Sequence, residues 1–132
     1  MNQGSGDYGG GLVGQIAGGG TIRECFSTGD VNSQSERGGL VGSTVGGGAG
    51  TTLMINSYAT GDVGGSYAGD RKGGFMGEYG RFGSEHIIEN CYSTGDMNSS
   101  AGGGFAGEGS TGGSIISNCF AAGGTIANST AG

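Results

Sequence analysis

Three cysteines, Cys25, Cys91 and Cys119, have the most versatile chemistry in this chain. Each opens a similar hexad: CFSTGD at 25–30, CYSTGD at 91–96 and CFAAGG at 119–124, with SYATGD at 57–62 as a serine version. Thiols can form disulfides, bind soft metals or act as nucleophiles. No CxxC pair is present, so neither a zinc site nor a thioredoxin-like site is indicated. Fourfold recurrence favours architecture, and the simplest interpretation of these cysteines is a column of small buried residues.

Three of the hexads end in aspartate, at Asp30, Asp62 and Asp96. Carboxylates are hard ligands for calcium, and a column of like charges would be relieved by a cation. They also accept backbone N–H bonds in turns. Because the nonapeptide pattern of calcium-binding β-rolls is missing, we expect the turn role and predict no metal site.

The sequence offers little for catalysis. His86, in GSEHIIEN, is the only histidine, and a lone polar residue at the start of a strand is typical of a solvated turn. There is no nucleophile elbow and no paired-carboxylate motif. The glycine-rich loops do not fit GxxxxGK[ST], which excludes a P-loop. We therefore predict no catalytic residues, no cofactor and no enzymatic activity.

The most varied stretch surrounds the third glycine pentad, GGFMG at 73–77. Its aromatic and basic residues are Tyr67, Arg71, Lys72, Tyr79 and Arg81. If the protein contacts a ligand, we expect the contact at this patch.

Composition excludes several classes of protein. The 132 residues include 37 glycines and no proline, and only 33% are apolar, so one thick core is not expected. The net charge is -6 with five scattered Lys and Arg residues, which argues against nucleic-acid binding and against polybasic membrane contact. No apolar run is long enough to span a bilayer.

Two blocks repeat along the chain. The pentads GGLVG, GGLVG, GGFMG and GGFAG begin at residues 10, 38, 73 and 103, so their spacings are 28, 35 and 30 residues. A block rich in β-branched and aromatic residues follows each pentad and ends in one of the hexads. Constant motifs at unequal spacing place the insertions in loops between fixed strands.

These repeats predict an all-β fold, a parallel β-solenoid (right-handed β-helix) of about four coils of 28–35 residues. Glycine at this density disfavours helix. We expect a single domain over 1–132, with repeats at about 9–37, 38–72, 73–102 and 103–132, and no capping unit at either terminus.

Equivalent residues of successive coils should lie above one another at the strand spacing of about 4.8 Å. Aromatic residues and asparagines gain most from such stacking. The predicted ladders are Phe26, Tyr58, Tyr92 and Phe120 for the rings, and Asn56, Asn90 and Asn118 for the amides. Glycines should supply the positive φ angles at corners.

The two blocks resemble the GLUG motif, a bacterial repeat named for its Gly-Leu-any-Gly core. INSYATGDV and IENCYSTGDM match its usual continuation closely, whereas Glu24, Ala122 and Gly124 depart from it. The resemblance covers about residues 9–126. It implies a stalk or adhesive module of a large surface-exposed or secreted protein, with no chemistry of its own.

Solenoid geometry adds a prediction for the thiols. Adjacent coils would bring the Cα atoms of Cys91 and Cys119 about 5 Å apart, within disulfide range. Cys25 would be left over and available for an intermolecular bond. In a head-to-tail stack, Cys119 of one subunit would lie one coil from Cys25 of the next.

Uncapped ends favour a structural function. Open sheet edges stack on other copies, and a heterologous contact of this kind generates filaments. The sequence therefore favours a secreted or cell-surface fibre subunit with itself as partner. The alternative is a monomeric adhesin or receptor-binding module whose loop at 64–72 holds a glycan or protein. A pectate-lyase-like enzyme comes third, because convincing catalytic groups are missing.

Overall fold

The structure is a computed structural model that describes residues 8–33, 35–45, 50–65, 71–81, 83–98, 102–109 and 113–123. Coil 1 comprises β1 (Gly9–Gly10), β2 (Val13–Ala17), β3 (Gly20–Arg23), β4 (Phe26–Ser27) and β5 (Val31–Asn32). Coil 2 comprises β6 (Arg37–Gly38), β7 (Val41–Val45), β8 (Thr51–Ile55), β9 (Tyr58–Ala59) and β10 (Val63–Gly64). Coil 3 comprises β11 (Lys72–Gly73), β12 (Met76–Arg81), β13 (Glu85–Glu89), β14 (Tyr92–Ser93) and β15 (Met97–Asn98). Coil 4 comprises β16 (Ala106–Gly109), β17 (Ser114–Ser117) and β18 (Phe120–Ala121).

Corresponding strands of successive coils pair in parallel. They form five sheets: β1-β6-β11, β2-β7-β12-β16, β3-β8-β13-β17, β4-β9-β14-β18 and β5-β10-β15. Gly103 extends the first sheet by a parallel bridge to Gly73. The predicted parallel β-solenoid is confirmed. Its right-handed sense, its repeat boundaries and the absence of caps stay predictions.

No helix in the described part of the chain is long and apolar enough to cross a membrane.

The core is a narrow column inside the coils. In β8 and β13, side chains alternate between the interior and the outer surface, as the two-residue period of a strand requires. The strand register sets the inward residues Ile22, Met54, Ile88 and Ile116 above one another in a column. Leu40, Val41, Phe75 and Met76 complete the buried centre. Each coil therefore contributes only a few apolar residues, and stacking of the coils joins them into a continuous hydrophobic core.

The first glycine of each pentad lies where the backbone crowds itself. A Cβ added at Gly38 would overlap the carbonyl oxygen of Val41, and the same overlap would occur between Gly73 and Met76. A larger residue would push apart β6 and β7, or β11 and β12. The recurrence of GG in the pentads thus reflects a close turn that repeats in each coil.

Positive φ angles also occur at a corner that contains no glycine. Glu24, Asn56, Asn90 and Asn118 have φ of 54°, 51°, 53° and 51°. Asparagine tolerates the left-handed region better than other non-glycine residues. The asparagine column therefore bends the chain between the third and fourth sheets, a role that the sequence analysis assigned to glycine alone.

Candidate interaction surfaces

An aromatic ladder runs along the outside of the solenoid. The rings of Phe26 and Tyr58, Tyr58 and Tyr92, and Tyr92 and Phe120 stack with centroids 5.2, 4.9 and 5.1 Å apart. Interplanar angles of at most 8° mean that each ring covers the face of its neighbour. Among the described residues, Phe26 and Phe120 at the two ends of the ladder each stack on one ring of it, and they are 57% and 55% exposed. We call their outward sides the open ring faces.

Polar side chains form ladders of directed hydrogen bonds. Nδ2 of Asn90 donates to Oδ1 of Asn56 at 3.2 Å, as the stacking prediction requires. The backbone N–H of Asp62 donates to Oδ1 of Asp30 at 3.0 Å, and that of Asp96 donates to Oδ1 of Asp62 at 2.8 Å. The aspartates thus accept N–H bonds from the following coil, whereas local turn bonds were expected. Within the described ranges, no group of three or more His, Cys, Asp or Glu residues is arranged to hold a metal ion.

The cysteines lie in a column that bonds to the backbone. Sγ of Cys25, Cys91 and Cys119 each donates at 3.2 Å to the carbonyl oxygen two residues earlier. The hydroxyl of Ser57 makes the equivalent bond at 2.9 Å, which explains why serine substitutes for cysteine there. This column therefore requires a small side chain that can donate a hydrogen bond to the carbonyl oxygen two residues earlier.

All three thiols are free, so the Cys91–Cys119 disulfide that the predicted coil spacing would allow is not formed in this structure. Burial raises the pKa of the Cys91 thiol to about 11. Because the thiolate is the reactive form, Cys91 is protected from oxidation near neutral pH.

Arg71, from the predicted ligand patch, is held by carboxylates of three coils. Its Nη1 lies 2.9 Å from Oε1 of Glu36, and its Nε lies 3.3 Å from Oε1 of Glu78 and 2.6 Å from Oε2 of Glu108. The bond to Glu108 contributes most to a raised pKa of Arg71. Burial raises the pKa of Glu36, but bonds from Ser35, its own backbone and Arg71 outweigh burial and lower it. We call this arrangement the Arg71 clasp.

The other patch residues do not share one surface. Lys72 is fully buried in register with Arg37, and its Nζ contacts the carbonyl oxygen of Gly65 at 3.4 Å. Tyr79 is half-buried. Tyr67 and the side chain of Arg81 lie outside the described residues. The ligand patch stays a prediction, and its two described cations are engaged in the fold.

His86 is not in a solvated turn, and that expectation was wrong. It is fully buried on the inward face of β13, with the ring of Tyr79 edge-on at 6.1 Å. Burial lowers the pKa of His86, and the nearby backbone of Ser84 offsets only part of this shift. The signal was the alternation of EHIIE, in which His86 has the same parity as the core residue Ile88.

The two ends expose large apolar side chains that are covered in the middle. Leu12 and Phe26 of coil 1 are 47% and 57% exposed, and Ile116 and Phe120 of coil 4 are 40% and 55% exposed. An open cavity of about 300 Å³ lies at the coil 1 end. Leu12, Asp30 and Ser33 are among its lining residues. Each end surface therefore exposes the last residues of the same apolar and aromatic columns.

Known proteins match the repeat. The family model for the GLUG motif matches residues 5–32. Residues 5–32 are thus similar to the GLUG motif. An 80-residue stretch is 40% identical to halomucin from Haloquadratum walsbyi (strain DSM 16790 / HBSQ001) and covers 59% of this chain. The chain corresponds to 1% of the length of halomucin. No solved structure matches it.

Proposed function

We propose that this chain is a non-catalytic GLUG repeat module of an extracellular or cell-surface protein, and that its ends stack head to tail into a fibre. The match to the GLUG motif and the similarity to halomucin support a module of a surface protein. This chain corresponds to only 1% of the length of halomucin, as expected for one module of a much longer protein. The ladders described above support a structural role, because they serve coil-to-coil cohesion.

The observation that carries the stacking is the pair of open ring faces. Tyr58 and Tyr92 each have a stacked ring about 5 Å away on both sides, whereas Phe26 and Phe120 each have one stacked ring within the described ranges. Placing coil 4 of one copy against coil 1 of the next would bring Phe120 onto Phe26. Ile116 and Ile22 would continue the inward column in the same step. Burial of this apolar area drives association.

Backbone polarity supports the same arrangement. The N–H groups of Tyr58, Tyr92 and Phe120 donate to the carbonyl oxygens of Cys25, Ser57 and Cys91 in the preceding coil. By the same pattern, the N–H of Phe26 would donate to the carbonyl oxygen of Cys119 in the neighbouring copy. The two edges are complementary, which is the condition for a heterologous contact that propagates.

The stacked arrangement would also bring Cys119 of one copy next to Cys25 of the following copy. Both thiols are half-buried at the ends, in contrast to Cys91 in the middle. We propose that any disulfide made by this protein joins these two residues between copies. Non-reducing electrophoresis of oxidised fibres should then show ladders that Cys25→Ser abolishes.

Two charged variants test the stacking by electron microscopy. The wild-type chain should form fibres one solenoid wide, whereas Phe26→Asp and Phe120→Asp should each prevent them. A mixture of the two variants retains one intact end of each kind and should form head-to-tail dimers only. Thr60→Asp, which adds the same charge at an exposed residue of coil 2 away from both ends, is the matched control and should leave fibres unchanged.

Fibres that persist in either single variant would refute this end-to-end contact. A wild-type chain that stays monomeric at millimolar concentration would also refute it, and would favour the alternative of a monomeric adhesin or receptor-binding module.

A further inference from the structure

The sheet β3-β8-β13-β17 has an unusual outer face. Its inward residues belong to the core column, so the alternate residues of each strand point to solvent. Four of these outward residues are large aliphatics: Leu53, Ile55, Ile87 and Ile115. Ile115 is 58% exposed, and the other three are half-buried. A continuous strip of large aliphatic side chains on an outer face marks an interaction surface.

Charges flank the strip in a symmetric way. Ile55 of β8 pairs with Arg23 of β3 on one side and with Glu89 of β13 on the other. Arg23 is exposed and Glu89 is half-buried, on the same outer face as Ile55. One column of this face therefore contains a positive, an apolar and a negative side chain in three successive coils: Arg23, Ile55 and Glu89.

This pattern is self-complementary under a two-fold rotation. We propose that a second copy of this chain packs face to face on this sheet, with the two-fold axis parallel to β8 and passing over Leu53 and Ile55. The rotation reverses the order of the coils, so Arg23 of one copy faces Glu89 of the other, and the pair occurs twice. Ile55 then meets Ile55, and Leu53 meets Leu53.

The geometry of sheet packing suits this contact. Two sheets pack face to face about 10 Å apart, a distance that long aliphatic and charged side chains from both faces bridge. An axis between coils 2 and 3 would also bury the aliphatics, but it would set Ile55 against Glu89 and Arg23 against Ser117. The charges select the axis over β8, because an unpaired carboxylate against an apolar side chain is costly.

The lateral contact is independent of the proposed end-to-end stacking, because it uses a different face. Its test is made in the Phe26→Asp background, where the end contact is removed. That variant should form dimers in sedimentation velocity. Arg23→Glu and Glu89→Arg should each weaken the dimer at least about tenfold, and the two together should restore it to within about threefold.

The position of the axis has its own measurement. Ile55→Cys places two thiols opposite each other across the two-fold axis at the sheet spacing of about 10 Å, which is too far for a disulfide. A bis-maleimide cross-linker of about that reach should therefore give covalent dimers that the parent variant does not give. Gln15→Cys, an exposed residue of β2, is the matched control and should give no covalent dimer with the same cross-linker.

Three results would overturn the lateral contact: a Phe26→Asp chain that stays monomeric at millimolar concentration, a double charge reversal no tighter than the single ones, or Ile55→Cys that does not cross-link. Circular dichroism of each variant separates these results from misfolding. Loss of fibres with retained lateral dimers would separate this inference from the proposed function.

Discussion

The middle coils and the end coils of this solenoid contain nearly the same residues in different surroundings. Ile88 is fully buried in coil 3, whereas Ile116, its register partner in coil 4, is 40% exposed. Leu40 and Leu12 differ in the same way. Local sequence cannot produce this difference, because the sequences match. Burial in this fold is supplied by the neighbouring coil, so the free energy of each coil depends on what lies above and below it.

The largest expected effect compares Ile88 with Ile116. Ile88→Ala should lower the free energy of unfolding by about 3–4 kcal/mol, because it leaves a cavity enclosed by Met54 and Ile116. Ile116→Ala should cost about 1–2 kcal/mol, because Ile116 is already 40% exposed to solvent. Urea denaturation of both variants measures the two values. Equal losses would mean that the end surface is covered in solution.

Thiol labelling gives the second comparison. Since burial raises the pKa of Cys91 from 9.0 to about 11, its thiolate fraction near neutral pH should be roughly 100-fold lower in the folded chain than in the unfolded chain. Labelling of Cys91 in a Cys25→Ser, Cys119→Ser variant should therefore be suppressed at least that much in native buffer. Labelling at equal rates in buffer and in urea would show that the middle coils open readily.

The same shift predicts a loss of stability in alkali. The folded state favours the neutral Cys91 thiol, so this contribution is complete below pH 9.0 and is lost as the pH rises through about 11. Cys91→Ser should remove this dependence, because serine occupies the same column at position 57.

Acid should act through a residue of coil 3. Burial lowers the pKa of His86 below 6.5, so the unfolded chain binds the proton first. The free energy of unfolding should be constant above that pH and should fall as the pH drops through 6.5 to the folded-state pKa. His86→Thr, which copies Thr52 of coil 2, should abolish this fall. Loss of stability due to Glu36, whose pKa is lowered from 4.5, should come only at more acidic pH.

The smallest effect concerns the corner between β3 and β4. Glu24 has a φ of 54° where coils 2 to 4 have asparagine. Glu24→Asn should raise the free energy of unfolding by about 0.5–1 kcal/mol, because asparagine is less strained in the left-handed region. The reverse change in the middle, Asn90→Glu, should cost more, since it also removes the bond to Asn56. A loss of stability in Glu24→Asn would contradict the corner role.

Repetition made much of the fold predictable. Tyr58 and Tyr92 share one context, and stacking follows as soon as like residues are aligned. The alignment therefore predicted that equivalent residues lie in register and that the rings form a ladder, and the strand pairs and stacked rings of the structure show both. It also predicted the amide stacking, for which the bond between Asn56 and Asn90 is found.

Residues outside the repeated blocks were harder to predict. Lys72 is buried because it continues the column of Gly9 and Arg37, yet these three residues share neither size nor charge. Arg71 meets Glu108 across a separation of 37 residues, a contact that depends on loop paths. Such contacts become visible only in the three-dimensional structure, because neither the residue types nor their separation in the sequence predicts them.

The Arg71 clasp has a mechanical consequence. A load applied along the solenoid axis pulls on the bonds between one layer of chain and the next, so layers should detach singly from the ends. Arg71 ties Glu36, Glu78 and Glu108 to one side chain and so links three layers. Detachment of the last layer breaks one of these ion pairs and leaves two in place. Under load, the coils at the ends should therefore detach first, and the coils joined by the Arg71 clasp should separate only at higher force.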